Sequence, residues 1–370
     1  MASGQADVIV IGAGVFGLHT ALEVRKTGRS VLVLEAAGEI GAGASGGIVG
    51  ALAPHMPERW TPKKQFQLEA LLTLGPLLQK IEAETGLTTG YGASGRITPL
   101  LNENMRDLAR VRCADAALRW PKDKVMNVLP GDAWPRWLMP EAAPFGLVQD
   151  NLSARLYPKQ TITALAAALQ ARGGVLRLNA PVSRVGSRGQ VFLPGEDLSA
   201  DHVVIANGVD GFELLRPHVG EVPGRGEKGQ ALLLDLDARD LPVIQGKGLY
   251  VVPHADGTTG VGSTSEREYE DGRTTDEQLD ELHYTARTIC PRLGRAGVLS
   301  RWAGVRPRAN GRDPMIGPVP GAPRLHAMLG GFKIGFGVAH RCAQVVAAGI
   351  VEERSHPIPD SFQVSAHLGL

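Results

Sequence analysis

The chain has 370 residues, of which 43% are hydrophobic and 21% charged, with a formal net charge of +1. A chain of this length is too long for a single ordinary hydrophobic core and predicts two domains. The near-zero net charge gives no indication of a surface that binds nucleic acid or an anionic membrane. No apolar run approaches the ~20 residues of a membrane span, and residues 1–7 lack the basic segment of a signal peptide. Cys113, Cys290 and Cys342 lack metal spacing, which favours free thiols in a reducing cytoplasm and no metal site.

The N-terminal stretch contains a strand, a glycine turn, a helix and a second strand in succession. Val8–Ile11 is almost wholly apolar, as expected of a strand buried on both faces. Apolar residues then recur at helical spacing, and Gly28 stands where that helix should end. Val31–Leu34 is a second apolar strand. This order is typical of units that bind dinucleotides.

The glycines of the turn form a GxGxxG pattern, and each has a mechanical role in such a site. Gly12 permits a tight turn, Gly14 lets the backbone approach a pyrophosphate, and Gly17 lets helix and strand pack closely. The phosphates would lie at the helix N-terminus, and Glu35 can hold a ribose hydroxyl. The pattern predicts a dinucleotide site and by itself leaves NAD and FAD open.

Hydrophobic periodicity places further elements along the chain. Helices are predicted at Phe66–Glu84, Glu103–Trp120 and Asp276–Ile289, with one that begins at Thr161 as its N-cap and a last one from about Gly335. Strands are predicted at Arg96–Leu101, Val175–Leu178, Val182–Val185, Gln190–Leu193, Asp201–Gly208, Gln230–Leu236, Gly248–Val252, Gly260–Thr264 and Val298–Arg306. Turn residues between Gly248–Val252 and Gly260–Thr264 predict a hairpin.

Dinucleotide-type elements recur at the start, near residues 150–215 and at the end, with strand-rich inserts between them. A split layout of this kind suits a large cofactor whose reactive end lies at a domain interface. We therefore predict a discontinuous cofactor domain of residues 1–75, 150–220 and 305–370. Residues 76–149 and 221–304 are expected to form the substrate domain.

Several motifs together carry a family resemblance. They are VIVIGAGVFG with Glu35, GASGGIVG at 43–50, HVVIANGVDG at 202–211, WAGVRP with DPMIG, and GGFKIGFGVAH at 330–340. From Asp7 to about Glu353 the chain resembles the glycine oxidase and sarcosine oxidase branch of the D-amino-acid-oxidase family of FAD flavoproteins. The resemblance implies a two-domain α/β fold, with a Rossmann-like FAD-binding domain of the glutathione-reductase type and a substrate domain built on an antiparallel sheet.

The same resemblance implies roles for individual residues around FAD. Those matching the cofactor site are Gly12, Gly14, Gly17 and Glu35 at the ADP half, Ala44 and Ser45 beside the phosphates and flavin, Val182 at the adenine, Gly208 near the pyrophosphate, and Gly331 and Gly335 beside the flavin ring. No cysteine lies near residues 311–318, where monomeric sarcosine oxidases attach flavin covalently. The FAD is therefore expected to be non-covalent.

Three further residues match substrate-binding positions of the family. Arg306 matches the arginine that binds the amino-acid carboxylate, and Tyr250 matches the tyrosine that closes over it. Lys333 matches a lysine of sarcosine oxidases at a loop where glycine oxidases carry arginine, so the substrate stays open. From the residues alone, Arg306 could instead form a structural salt bridge, Lys333 could be solvated and Tyr250 could pack in a core. His55 is not assigned to the predicted site, because a lone histidine is more often a structural hydrogen-bonding residue.

The implied activity is oxidation of a small amino acid or N-methyl amino acid. Hydride would pass to flavin N5, giving an imino acid and, with oxygen, hydrogen peroxide. One alternative is a dehydrogenase that passes electrons to a quinone or carrier protein. Others are a tRNA-modifying flavoprotein, disfavoured by the +1 charge, and a catalytically silent FAD-binding protein, which would be expected to lack Arg306 or Lys333.

Overall fold

The computed structural model describes residues 5–352 and 357–368 of the chain. Residues 1–4, on which the signal-peptide prediction partly depends, and Glu353, at the end of the family resemblance, lie outside these described residues. Among the described helices, none is both long and apolar enough to cross a membrane.

Most described strands belong to two large sheets. In chain order the strands are β1 (Gln5–Ile11), β2 (Val31–Leu34), β3 (Ala51–Leu52), β4 (Arg96–Pro99), β5 (Met126–Leu129), β6 (Leu147–Asp150), β7 (Ala154–Arg155), β8 (Val175–Arg177), β9 (Arg184–Val185), β10 (Gln190–Leu193), β11 (Glu196–Ile205), β12 (Gly224–Asp235), β13 (Val243–Gly246), β14 (Leu249–Pro253), β15 (Thr259–Gly262), β16 (Gly297–Ala309), β17 (Met315–Val319) and β18 (Ala322–Leu329). The helices are α1 (Val15–Lys26), α2 (Pro62–Thr85), α3 (Glu103–Arg119), α4 (Pro158–Ala171), α5 (Asp210–Val219), α6 (Glu277–Ile289) and α7 (Gly335–Glu352).

The first sheet is the middle of three layers. Its main path runs β17-β18-β11-β1-β2-β8, and all neighbours on this path are parallel except β17 and β18. Val8 and Val10 of β1 pack under α1, α4 and α7, whereas Ile9 and Ile11 face the opposite side with α5 and the β9–β10 ribbon. A strand covered on both faces must be apolar at every position, which explains its unbroken hydrophobic run.

The second sheet carries two chemically different faces. Its order is β16-β12-β15-β14-β13-β4-β6-β5, antiparallel throughout except for the parallel pair β4 and β13. Ile97, Ile244 and Val251 point into a core shared with α6 and Trp137. Because side chains alternate along a strand, their neighbours Arg96, Gln245 and Tyr250 face the other way. That second face borders the cavity described below.

The fold class expected from the family resemblance is confirmed by this architecture. The hairpin is also confirmed, because β14 and β15 pair in antiparallel register. The N-cap assigned to Thr161 is wrong: α4 begins at Pro158, which suits a first helical position. Thr161 instead lies inside the helix, where its hydroxyl contacts the carbonyl oxygens of Thr89 at 2.8 Å and Tyr157 at 3.0 Å.

The strands predicted to belong to each domain fall largely in separate sheets, but three elements run across the predicted boundaries. Helix α2 continues past residue 75, β6 runs from residue 147 to residue 150, and β16 continues past residue 304. Strand β16 is long because it pairs with β12 along nearly its whole length. The domain boundaries themselves stay a prediction.

Candidate functional site

A cavity of about 1330 Å³ lies where the two sheets meet. Its walls come from the β1–α1 turn, the ends of β2, β11 and β18, the start of α7, and the polar face of the second sheet. The carboxyl ends of parallel strands converge there, which is where α/β folds bind ligands. The volume exceeds the ~300–1,000 Å³ typical of pockets for drug-sized ligands, so the cavity has room for a dinucleotide and a small substrate.

Gly12 and Gly14 form the cavity wall at the start of α1. Gly12 has φ +102°, and a Cβ there would come within 2.6 Å of Asn207 Cα. Gly14 is the N-cap residue and has no side chain to cap the helix. Ser45 takes that role, because its Oγ accepts from the Val15 N–H at 3.0 Å. A helix N-terminus bordered by bare backbone is suited to an anion such as a pyrophosphate.

Gly17 does not line the cavity. A Cβ at this position would lie 1.9 Å from the Gly12 carbonyl oxygen, beneath the turn. Its part in the motif is therefore helix–turn packing, and its assignment to the cofactor site stays a prediction. The other residues assigned to the cofactor site all line the cavity: Gly12, Gly14, Glu35, Ala44, Ser45, Val182, Gly208, Gly331 and Gly335.

Glu35 is held at the end of β2 by backbone donors. Its Oε2 accepts from the Ala13 N–H at 2.8 Å, and its Oε1 accepts from the Ala37 N–H at 3.0 Å. Each carboxylate oxygen can accept a second hydrogen bond. The carboxylate can therefore hold the glycine turn through hydrogen bonds and still accept hydrogen bonds from ribose hydroxyls.

The turn that precedes α7 borders one end of the cavity. Gly331 packs against Phe16, since a Cβ there would lie 2.8 Å from its ring. Gly335 is the first residue of α7, so the positive end of that helix faces the cavity. The turn can therefore favour negative charge at this end.

Arg306 lines the cavity from β16 and is fixed by three contacts. Its Nη2 donates to Ser263 Oγ at 2.5 Å, and its Nη1 lies 3.3 Å from the carbonyl oxygens of Lys228 and Thr264. Gly229 on β12 makes room for it, because a Cβ there would lie 1.9 Å from Arg306 Nη2. Burial lowers the pKa of Arg306, while Glu227 and Glu266 act in the opposite direction.

Lys333 is a second cation on the same cavity. Partial burial and the neighbouring Arg306 lower the pKa of Lys333. Neither Lys333 nor Arg306 has a carboxylate within salt-bridge distance in residues 5–352 or 357–368, whereas Arg308 is paired with Glu227 at 3.2 Å. Two neighbouring cations without a carboxylate partner provide a site for an anionic group.

The structure also reveals cavity residues that the sequence analysis missed. Arg96 is only 1% exposed and lies in the wall beside Gln245 and Tyr250. A charged residue at the start of a short predicted strand is only a weak indication of a cavity residue. Its partner, Asp150, lies on a different strand, so the pair could not be recognised from the sequence. His55, considered and left out, also lines the cavity. Burial, followed by the charge of Lys63, lowers the pKa of His55 to about 4.

Fold and cavity together define a two-domain dinucleotide-binding protein, and comparison with known proteins narrows this class to one family. A family model described as "DAO: FAD dependent oxidoreductase" matches residues 7–348. Glycine oxidase from Pseudomonas putida is 30% identical over 349 residues, covering 92% of this chain and 93% of that protein. The glycine oxidase of Pseudomonas aeruginosa is 29% identical over 355 residues, with 92% and 93% coverage.

A solved structure agrees at the level of the fold. Glycine oxidase from Geobacillus kaustophilus matches with a TM-score of 0.88 and 22% identity, covering 98% of this chain and 99% of that one. This chain therefore belongs to the DAO family and is an FAD-dependent oxidoreductase. The resemblance stated from its motifs is confirmed.

Proposed function

We propose that the protein oxidises a small amino acid or N-methyl amino acid at a carbon–nitrogen bond, with oxygen as the electron acceptor. The observation that carries this proposal is the position of Arg306 and Lys333, two cations without a carboxylate partner among the described residues, on the cavity that also carries the glycine turn. A carboxylate is the group that such a pair selects. The glycine oxidases among the relatives support the same substrate class.

Arg306 would set the position of the substrate. A guanidinium has five N–H donors, and the contacts to Ser263, Lys228 and Thr264 engage three of them. The remaining donors can bind a carboxylate in the bidentate geometry that arginine favours. Since the strand pairing of β16 with β12 fixes the arginine backbone, the bound carboxylate would have one orientation. Such positioning is a large source of rate acceleration.

The two cations would also keep the substrate amine neutral. A positive charge near an ammonium group disfavours its protonated form, and a neutral amine has the lone pair that the developing imine requires. Bound FAD supplies the two-electron acceptor. The residues of the chain bind the carboxylate, orient the reacting C–H bond and exclude water.

The proposal is tested by mixing the purified yellow protein anaerobically with amino acids and N-methyl amino acids, and then admitting air. We expect flavin absorbance to bleach with a small amino acid and to return with release of hydrogen peroxide. Arg306→Leu should lose about 2–5 kcal/mol of transition-state stabilisation, the usual range for truncating one partner of a buried charge pair. Arg306→Lys should lose orientation while keeping charge.

The control is Arg301→Leu, which removes an exposed arginine of the same strand that pairs with Asp280 at 2.8 Å. Flavin reduction by an amine that lacks the carboxylate should be slow in the parent and less harmed by Arg306→Leu. Equal losses for amino acid and amine would show that Arg306 is structural. Bleaching that reverses only with a quinone, and not with air, would exclude oxygen as acceptor.

A further inference from the structure

Four polar side chains form a row across neighbouring strands of the second sheet. Asp150 of β6 pairs in register with Arg96 of β4, and Gln245 of β13 pairs with Tyr250 of β14. Alternate positions on these strands, such as Ile97 and Ile244, lie in the core on the other face. Arg96, Gln245 and Tyr250 all line the cavity.

Arg96 determines which hydrogen-bonding groups this wall presents. Its Nε donates to Asp150 Oδ2 at 2.9 Å, and its Nη1 donates to Gln245 Oε1 at 2.7 Å. Burial raises the pKa of the Tyr250 hydroxyl, and the neighbouring charge of Arg96 acts in the opposite direction. Arginine can only donate, so Gln245 must turn its amide oxygen toward it.

Gln245 and Tyr250 both have hydrogen atoms left to donate. Gln245 keeps its amide NH₂ group, for which no acceptor is found among residues 5–352 and 357–368, and Tyr250 keeps its hydroxyl proton. Because Arg96 and Asp150 are each 1% exposed and neutralise each other, the wall offers donors without a free charge. Such donors favour an oxygen acceptor and are left unsatisfied by an apolar group.

Strand order relates the positions of these donors to that of Arg306. Tyr250 is paired with Gly262, and the next residue, Ser263, contacts the Arg306 guanidinium. Gln245 lies one strand further away, roughly 4.8 Å by the spacing of strands in a sheet. A substrate whose carboxylate binds Arg306 and Tyr250 would need only a short substituent to reach Gln245.

We propose that Gln245 determines specificity by binding a second oxygen acceptor of the substrate, and that Arg96 is the positioning residue that holds it as a donor. The substrate class is then a small amino acid whose side chain or N-substituent carries a carboxylate or carboxamide oxygen. This inference rests on the proposed function only in placing the first carboxylate at Arg306.

Binding of unreactive acids to the FAD-loaded protein, followed by flavin absorbance, tests the inference without turnover. Malonate and malonamate carry a second carboxylate or carboxamide group, isovalerate replaces that group by an isopropyl group of similar size, and acetate lacks it. We expect the parent to bind malonate and malonamate at least tenfold more tightly than isovalerate. Gln245→Glu still accepts from Arg96 but donates nothing, so it should abolish this preference and leave acetate affinity within threefold.

A second variant and a control separate recognition from structure. Arg96→Lys keeps the charge beside Asp150 but cannot contact both Asp150 and Gln245 through a fork, so it should reduce the malonate preference while acetate still binds. Gln149→Glu changes a glutamine of the same sheet that accepts from Trp134 Nε1 at 3.2 Å and lies outside the cavity, and it should change nothing.

The outcomes also distinguish this inference from the proposed function. Equal binding of malonate and isovalerate by the parent would overturn the inference alone, as would an unchanged ratio in Gln245→Glu. Failure of every carboxylate, acetate included, to bind the parent would overturn both the inference and the proposed function.

Discussion

Glu35 shows how one side chain can serve both the fold and the cofactor. Its two oxygens accept from the N–H groups of Ala13 and Ala37, one in the glycine turn and one beyond β2. A glutamine in its place has one oxygen and one NH₂ group, so one backbone N–H would face another donor. The residue is therefore needed as a carboxylate even before any ribose hydroxyl binds.

We predict that Glu35→Gln weakens FAD binding without changing the chemistry. Loss of one hydrogen bond to a charged group costs about 1.5–3 kcal/mol, which is roughly 10- to 150-fold in affinity. Titration of the apoprotein with FAD measures this, and Glu39→Gln, an exposed acid outside the cavity, is the control. If turnover per bound flavin fell more than FAD occupancy did, the assignment of Glu35 to the ribose would be wrong.

Among the elements, the contact between α2 and α7 contains a buried histidine. His340 of α7 is 1% exposed, and its Nε2 lies 2.9 Å from Thr73 Oγ1. The Thr73 hydroxyl is 2.8 Å from the Glu69 carbonyl oxygen, to which it can donate, and its oxygen can then accept from an Nε2–H group of His340. The other nitrogen, Nδ1, has no hydrogen-bond partner in the described part of the chain. Burial, followed by Arg341 and Lys26, lowers the pKa of His340 to about 3.

We predict that this histidine makes the protein less stable in acid. Between pH 6.5 and 3 the unfolded chain binds a proton at His340 that the folded chain does not, so the free energy of unfolding falls as the pH falls. His340→Gln can still donate to Thr73 but does not titrate. When the pH falls from 6.5 to 5, the free energy of unfolding of the His340→Gln variant should therefore fall by about 2 kcal/mol less than that of the parent.

Urea unfolding of the FAD-loaded protein at both pH values measures this difference. Thr73→Val is the control: it should lower stability at both pH values and keep the pH dependence, because the histidine remains. Identical pH dependence in the parent and His340→Gln would mean that other groups cause the acid sensitivity.

At the scale of the whole molecule, the cavity joins two sheets and is isolated from the cysteine side chains. Cys113, Cys290 and Cys342 are free thiols, and none of them lines the cavity. Burial raises the pKa of Cys290 to about 11 and raises that of Cys342 further. A thiol kept protonated is a poor nucleophile, so these groups are not poised to attack a flavin.

We predict that FAD is held without a covalent bond. Acid precipitation of the yellow protein should leave a colourless pellet and release intact FAD in equal molar amount to the protein. Absorbance and chromatography of the supernatant measure the release. Flavin that stays with the denatured chain would contradict the prediction and point to an attachment residue other than these cysteines.

The sequence by itself determined the features that depend on neighbouring residues. The strand Val8–Ile11, the GxGxxG turn and the helix that follows are specified by local apolar periodicity and by glycine's freedom to adopt φ +102° at Gly12. The position of Arg306 in a strand and of Lys333 in a glycine turn could also be predicted from local patterns and family motifs. Such signals need no knowledge of which strand lies beside which.

Only the tertiary structure decided how distant side chains combine. It showed that Gly17 supports the turn without lining the cavity, and that Gly229 makes room for Arg306 from another strand. The hydrogen bonds of Arg96 form only when β4 pairs with β6 and lies beside β13. Their acceptors, Asp150 and Gln245, are 54 and 149 residues away in the chain. Contacts of this kind depend on strand register, and register is set by packing of the whole molecule rather than by local sequence.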